Sequence, residues 1–203
     1  MSLANDPYHH GDLRAACLRS ARKLLEEDGS AALSLRAVAR RAGVSATAPY
    51  RHFADRDALV SAVAAQGYGE LAAHLTAAHP SPRTPEDLVE LAVAYVRFAL
   101  ERPAIFRVMF AEPCDPASEE RAAASAATWA YVHDVVRGVF PGSDAQTLST
   151  ALWAIVHGLA FLHLDGKLDT STPATTAKQV RATVRALLST NVPSATSPNA
   201  TAR

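Results

Sequence analysis

The sequence has little of what strand-rich, disulfide-bonded or secreted proteins depend on. Its 203 residues include two cysteines, Cys17 and Cys114, which lie far apart and in no metal-binding or redox spacing. Runs of β-branched residues are few, which argues against a strand-rich fold. The polar segment 1–11 lacks the apolar stretch that a signal peptide requires, so we expect a cytoplasmic protein.

Enzymes and metalloproteins also lack their usual motifs here. No G-x-S-x-G, H-E-x-x-H or phosphate-binding loop occurs. The eight histidines do not converge by helical spacing, since His157 and His163, six residues apart, point in directions about 120° apart on a helix. We therefore expect no enzyme, no bound metal and no cofactor.

What the sequence does contain is alanine-rich helical patterning, which predicts an all-α fold. Capping residues and prolines predict helices over 12–28, 56–78, 85–101, 103–110, 116–140, 143–165 and 173–190, with two short helices between 34 and 55. Gly67 and Gly69 cost the third helix about 2 kcal/mol against alanine and predict a flex point. The last thirteen residues, 191–203, rich in Ser, Thr, Pro and Ala, are predicted to be disordered.

Two short helices joined by a tight corner are predicted within Ser34–Leu59. Residues at steps of three and four form one apolar face of the first helix: Leu35, Val38, Ala39 and Ala42. Gly43 can take the left-handed conformation that ends a helix, and Ser45 is a good N-cap for the second helix. Pro49 then falls in the first turn of that helix, where a missing N–H costs least, and Asp55 caps the third helix. This pattern is typical of a helix-turn-helix.

At these residues the chain resembles the TetR family of bacterial transcriptional regulators. The family signature is matched by Ala42-Gly43-Val44-Ser45, Tyr50, Phe53, Arg56 and Leu59. The resemblance implies a three-helix helix-turn-helix DNA-binding domain over 8–66 and a helical ligand-binding and dimerisation domain over 67–190. It also implies a sequence-specific regulator, a repressor released by a small-molecule effector. Trp153, His157 and Gly158 further resemble the W-x-x-x-H-G element of one C-terminal subclass.

The residues expected to meet a palindromic double-stranded DNA operator come from the helix-turn-helix. We predict that base edges or the groove rim are contacted by Arg36, Thr47 and Tyr50. We predict that the phosphate backbone is contacted by Ser34, Ser45, His52 and Arg56. Arg36 touching only phosphate is an alternative, as is a helix pair that merely packs on its neighbours. Charge alone would not indicate DNA, because 20 basic residues balance 20 acidic ones. Residues 1–60 hold 9 Lys/Arg against 7 Asp/Glu. This weak basic balance suits an end of the chain that docks on DNA, and tight binding would need two such ends, one from each of two chains.

Two apolar stripes in the last two helices predict a homodimer. No residue between Asp144 and Asp165 is charged. The stripes step by three and four, as in coiled coils, and give the predicted interface of Leu148, Leu152, Ile155, Leu159, Leu162, Val180, Val184 and Leu187. In the resembled family, two helices from each chain form such an interface. The alternatives are that the stripes serve only the chain's own core, or that the uncharged segment spans a membrane, which its polar residues argue against.

Bulky side chains of the middle helices predict a pocket for a small apolar or aromatic effector. The candidates are Tyr95, Phe98, Phe106, Met109, Phe110, Trp129, His133, Trp153 and His157. Aromatics with one or two polar groups suit an enclosed small-molecule site, although any helical core also needs them. The competing function is a helical metal- or ligand-carrier protein without DNA binding.

Overall fold

The computed structural model describes residues 10–190, which contain helices and no strand. The helices are α1 (His10–Asp28), α2 (Leu35–Ala42), α3 (Arg56–Ala78), α4 (Pro85–Glu101), α5 (Pro103–Phe110), α6 (Glu119–Val139), α7 (Ala145–Leu164) and α8 (Pro173–Thr190). Two short 3₁₀ helices, Ser30–Ala32 and Ala48–Arg51, lie on either side of α2. The predicted all-α fold is confirmed, and the predicted tail 191–203 lies outside the described residues.

Side-chain caps explain most of the helix limits. The Asp55 carboxylate accepts a hydrogen bond from the Ala58 N–H at 2.8 Å and starts α3 where predicted. Thr84 and Asp87 form a reciprocal capping box at the start of α4. The predicted start of α6 at 116 is too early, because the Ser118 hydroxyl caps the helix by accepting from the Arg121 N–H at 3.3 Å.

Helix α3 connects the two halves of the chain. It packs against α1 at the helix-turn-helix end and against α4, α5 and α6 elsewhere. It is continuous across Gly67 and Gly69, so neither glycine interrupts the helix, and the flex point stays a prediction. Gly67 instead permits close packing of α5: a Cβ there would lie 2.7 Å from Met109 Sδ and 2.8 Å from Ile105 Cγ2. A Cβ at Gly69 would meet nothing within 4 Å.

Helix α4 occupies the centre of the C-terminal half, where α3, α5, α7 and α8 pack around it. The Arg181 guanidinium of α8 donates two hydrogen bonds to the Glu90 carboxylate of α4, at 2.7 and 2.8 Å. This bidentate pair holds α8 in one orientation, in which Val180 and Val184 are fully buried. The C-terminal half thus surrounds its middle helices on several sides, and a cavity remains among them.

Candidate nucleic-acid interface and ligand pocket

The first helix of the helix-turn-helix is fixed at both ends by short-range hydrogen bonds. The Ser34 hydroxyl accepts from the Ala37 N–H at 3.1 Å and starts α2. Gly43 has φ 70°, the left-handed conformation predicted for it, and ends the helix. The Val44 N–H then bonds to the Ala39 carbonyl at 3.0 Å, which turns the chain sharply.

The segment after this corner is shorter than predicted. Instead of an α-helix capped by Ser45, the structure has the 3₁₀ helix Ala48–Arg51, preceded by Thr47 with no side-chain cap. The reason is Pro49, which has no N–H to donate to the Ser45 carbonyl four residues earlier. The Ala48 N–H instead donates a hydrogen bond to the Ser45 carbonyl, at 3.0 Å. The predicted cap at Ser45 is therefore wrong, and its hydroxyl lies 3.4 Å from that of Thr47.

Most of the predicted DNA-contacting side chains are exposed. The solvent-facing set is Ser34, Arg36, Ser45, Thr47, Tyr50 and His52. Tyr50, at 51% exposure, is one of the few large exposed hydrophobic residues among those described. Pro49 and Phe53 on either side are buried and anchor this segment to the core.

Three arginines on this surface have no ion-pair partner within 10–190. Arg36 and Arg40 lie one turn apart on α2, and Arg51 ends the 3₁₀ helix. Arg41, by contrast, is paired with Glu27 of α1. Arg40 and Arg51 were not among the predicted site residues, because spacing does not show which arginines are neutralised by distant carboxylates.

Arg56 differs from the other candidates because its guanidinium is turned inward. It donates to the Leu33 and Ser30 carbonyls, each at 3.2 Å, and lies 3.3 Å from a carboxylate oxygen of Glu112. These contacts tie the start of α3 to the turn before α2 and to the segment after α5. A phosphate contact by Arg56 stays a prediction, and it competes with these three partners.

A cavity of about 410 Å³ lies among α3, α4, α5, α6 and α7. Its lining includes five of the predicted effector residues: Tyr95, Met109, Phe110, Trp129 and Trp153. The two tryptophan rings meet edge to face, with centroids 5.5 Å apart. A cavity of about 70 Å³ adjoins it and shares the lining residues Leu75, Tyr95, Val132 and Trp153.

The other four predicted effector residues do not line the larger cavity. Phe98 and Phe106 are buried in the core, and His133 sits near Asp134 on α6. His157 lies behind the wall, where its Nδ1 is 2.9 Å from the Tyr95 hydroxyl, and burial lowers its pKa. These four residues lie outside the lining, because the same aromatic pattern also builds a helical core, and their contact with an effector stays a prediction.

Four polar lining residues were missed by the sequence analysis: Tyr68, Arg121, Ser125 and Thr128. The last three recur at steps of four and three, so they share one face of α6. The Tyr68 hydroxyl donates to the Met109 carbonyl at 3.1 Å, and burial raises the Tyr68 pKa. The polar spacing on α6 was visible in the sequence, but nothing local showed that this face points into a cavity.

Comparison with known proteins identifies the family. Residues 18–63 match the family model described as "Bacterial regulatory proteins, tetR family", and residues 88–187 match "Tetracyclin repressor-like, C-terminal domain". The chain belongs to the TetR family. That family consists of transcriptional regulators and not of enzymes, and nothing in the comparisons supports the carrier alternative.

Individual relatives share part of this sequence or its fold. The HTH-type transcriptional regulator Mb1846 of Mycobacterium bovis is 26% identical over 142 residues, which are 66% of this chain and 61% of that protein. The chain thus spans about three fifths of the length of the curated relatives it matches. A solved protein of unknown function from Rhodococcus sp. RHA1 is 34% identical, with a TM-score of 0.74 over 89% of this chain and 97% of that one. The TetR family regulator PfmR from Thermus thermophilus shares the fold at 21% identity, with a TM-score of 0.61 over 85% and 97% of the two chains.

The interface predicted for a TetR-type dimer needs correction. Val180 and Val184 are fully buried within the chain, and Leu152 and Leu159 are each 7% exposed. These four belong to the chain's own core, so the predicted interface is wrong at these positions. Periodicity identifies the buried side of a helix but not the partner that buries it. Of the remaining predicted residues, Leu162 is 44% exposed, while Leu148, Ile155 and Leu187 are partly buried.

Helix α7 nevertheless leaves much of its apolar surface uncovered. Among the described helices, it is the one long and apolar enough to cross a membrane, and 28% of its most apolar window is buried in the chain. Its outward face has small side chains at Ala151, Ala154 and Gly158, followed by Leu162, at steps of three and four. Across residues 10–190, no three His, Cys, Asp or Glu side chains cluster as a metal site would require.

Proposed function

We propose that this TetR-family chain binds a palindromic DNA operator as a homodimer and acts as a repressor that a small molecule releases. The observation that supports DNA binding most strongly is the set of cations Arg36, Arg40 and Arg51 on the helix-turn-helix, which have no ion-pair partner within 10–190. An unneutralised arginine beside a buried anchor such as Phe53 is well placed to meet phosphate or a base edge. The proposed location is the cytoplasm, where the family's DNA target is found.

Within this interface, we sort the exposed side chains by the part of the DNA that each is proposed to contact. Arg36, Thr47 and Tyr50 are the proposed readers of base edges or the groove rim. Ser34, Ser45 and His52 are the proposed backbone contacts, together with Arg40 and Arg51. Arg56 is proposed to act mainly by fixing the start of α3, since its donors are already engaged within the chain.

The experiment that tests DNA binding selects bound duplexes from a random pool and then compares two arginine variants. Arg36→Ala is expected to cost about 1–3 kcal/mol of operator affinity and to relax sequence choice at one base pair per half-site. Arg137→Ala is the matched control, because Arg137 is an exposed helical arginine of α6 paired with Asp134. Equal affinities of the two variants and the parent would refute this role for Arg36, and absence of any salt dependence would refute DNA binding.

The proposed dimer uses the outward faces of α7 and α8. The small side chains at Ala151, Ala154 and Gly158 would let a second helix approach closely, and a Cβ at Gly158 would meet nothing within 4 Å. Thr183 and Ala186 of α8 are exposed and could continue this surface. Two DNA-binding ends per molecule would compensate for the weak net charge of each end.

A physical connection between the cavity and the helix-turn-helix supports the proposed release by an effector. The segment after α5 is held to α3 by the Asp115 N–H, which donates to the Ser61 hydroxyl at 2.9 Å. The same segment holds Arg56 through Glu112. Because α5 and α6 line the cavity on either side of this segment, a bound effector that shifts them would pull on Arg56 and reorient the helix-turn-helix.

We also propose that the C-terminal domain belongs to the W-x-x-x-H-G subclass of the family. Trp153, His157 and Gly158 match the W-x-x-x-H-G pattern, and the first two have a common place beside the cavity, with ring centroids 5.1 Å apart. We propose that Trp153 forms the wall and that His157 orients Tyr95 from behind it. Membership of that subclass stays a prediction.

A further inference from the structure

The larger cavity contains a guanidinium whose charge no nearby carboxylate of the described chain balances. Arg121, in the first turn of α6, lines the cavity. Its Nε is buried and has no hydrogen-bond acceptor among residues 10–190. One terminal nitrogen reaches the Met109 carbonyl at the long distance of 3.5 Å. Neither contact supplies a negative charge.

The surroundings of Arg121 make this unpaired charge costly. Within the described part of the chain, no aspartate or glutamate lines the cavity, and the polar neighbours Tyr68, Ser125 and Thr128 are neutral hydroxyl groups. Two of these hydroxyls already donate elsewhere, Tyr68 to the Met109 carbonyl and Thr128 to the Ala124 carbonyl at 3.0 Å. A cation against a mostly apolar wall gains most from an anionic partner that hydrogen-bonds to it.

The remaining lining residues indicate the chemistry of the part of the ligand that lies away from Arg121. Trp129, Trp153, Tyr95 and Phe110 present aromatic surface, and the adjoining smaller cavity is lined almost entirely by aliphatic and aromatic side chains, including Leu88, Leu91 and Val135. A volume of about 410 Å³ is within the range of small-molecule sites. Among the described residues, Arg121 is the only cationic side chain in this lining, so the site suits one negative charge rather than two.

We propose that the cavity binds an amphipathic monocarboxylate, with its carboxylate on Arg121 and its apolar body between Trp129 and Trp153. The planar guanidinium matches a carboxylate in a two-point arrangement, which a lysine would not reproduce. A carboxylate at this position would also draw Arg121 away from the Met109 carbonyl at the end of α5. This inference rests on the proposed effector role of the cavity and adds the chemical class of the ligand.

The test measures intrinsic tryptophan fluorescence, because the chain's two tryptophans both line the cavity. The probes are decanoate and 4-phenylbutyrate, each compared with its neutral primary amide. The full-length parent is expected to bind the carboxylates more tightly than the amides. Arg121→Gln should weaken carboxylate binding about 10- to 100-fold, as expected for hydrogen bonds to a charged group, and leave amide binding unchanged.

Two further variants make the result decisive. Arg121→Lys keeps the positive charge but loses the planar, two-point geometry of the guanidinium. Compared with Arg121→Gln, it should restore part of the carboxylate affinity, which a purely structural role would not explain. Arg137→Gln on the same helix, an exposed position paired with Asp134, should leave every affinity unchanged. Circular dichroism of each variant shows whether the fold is intact.

Each outcome decides for or against the carboxylate. Equal affinities for carboxylates and amides, an equal effect of Arg121→Gln on both, or no carboxylate binding up to about 1 mM would each overturn the proposal. The same samples, titrated into a complex with operator DNA, separate it from the proposed function. Carboxylate binding through Arg121 without DNA release would leave the site standing and refute the effector role, whereas release by neutral compounds alone would do the reverse.

Discussion

Gly67 gives a sharp test of the packing that supports the cavity, because the chain supplies its own control two residues away. In Gly67→Ala, the new Cβ would lie 2.7 Å from Met109 Sδ and 2.8 Å from Ile105 Cγ2. Both neighbours are 1% exposed, so neither can move into solvent. The methionine chain is flexible, but the isoleucine methyl lies close to its own backbone, and α5 itself would have to shift.

The magnitude follows from two opposing effects. Overpacking a filled core costs about 1–3 kcal/mol, while replacing a helical glycine by alanine gains about 1 kcal/mol. Gly67→Ala should therefore lower the free energy of unfolding by up to about 2 kcal/mol. Gly69→Ala, with open space around its Cβ, should raise it by about 1 kcal/mol.

Urea and thermal unfolding, followed by circular dichroism at one protein concentration, measure both variants. For a chain of this size, each kcal/mol corresponds to a Tm change of about 2–4 °C, so the two alanines should separate clearly. Equal stabilisation by both alanines would refute the argument that Gly67 is required by the approach of α5. Equal destabilisation would show that helix propensity is not the compensating gain.

Two other predictions concern the dimer and the connection to DNA. Ala154→Glu should convert the dimer into a monomer, as measured by light scattering, because it places a charge in a close helix contact. The control Ala73→Glu, on the exposed side of α3, should leave the dimer intact. If both variants remain dimers, the interface lies elsewhere. Glu112→Gln should weaken the partly exposed pair with Arg56, worth up to about 1 kcal/mol, and so raise several-fold the effector concentration that half-releases operator in fluorescence anisotropy. Glu119→Gln is its control, and an unchanged release curve with unchanged ligand affinity would argue against this route.

The helices could be predicted closely because their limits are local. Asp55 and the prolines Pro85, Pro103 and Pro173 mark helix starts by chemistry that acts within a few residues, and α3, α4, α5 and α8 begin and end where predicted. The segment after Gly43 was predicted less well. There two local signals, a good cap at Ser45 and a missing N–H at Pro49, compete, and spacing alone does not decide between them.

The candidate sites were predictable only in part, because their construction is not local. The stripe on α8 indicated that Val180 and Val184 are buried, yet a period of three and four is the same whether α4 or a second chain covers them. Arg121 and Tyr68 come from different helices, and their common cavity depends on how those helices pack. The aromatic residues were found by type, but type does not separate a wall residue such as Trp153 from a core residue such as Phe106.

The separation of buried anchors from exposed side chains in the segment after α2 has a consequence for how such proteins diverge. Pro49 and Phe53 hold this segment by burial, whereas Tyr50, Arg51 and His52 between them are exposed. Substitutions at exposed positions usually change stability by less than about 0.5 kcal/mol. Copies of this gene could therefore exchange these three exposed side chains, and so change the surface beside α2, while the fold, and with it the cavity, stays intact.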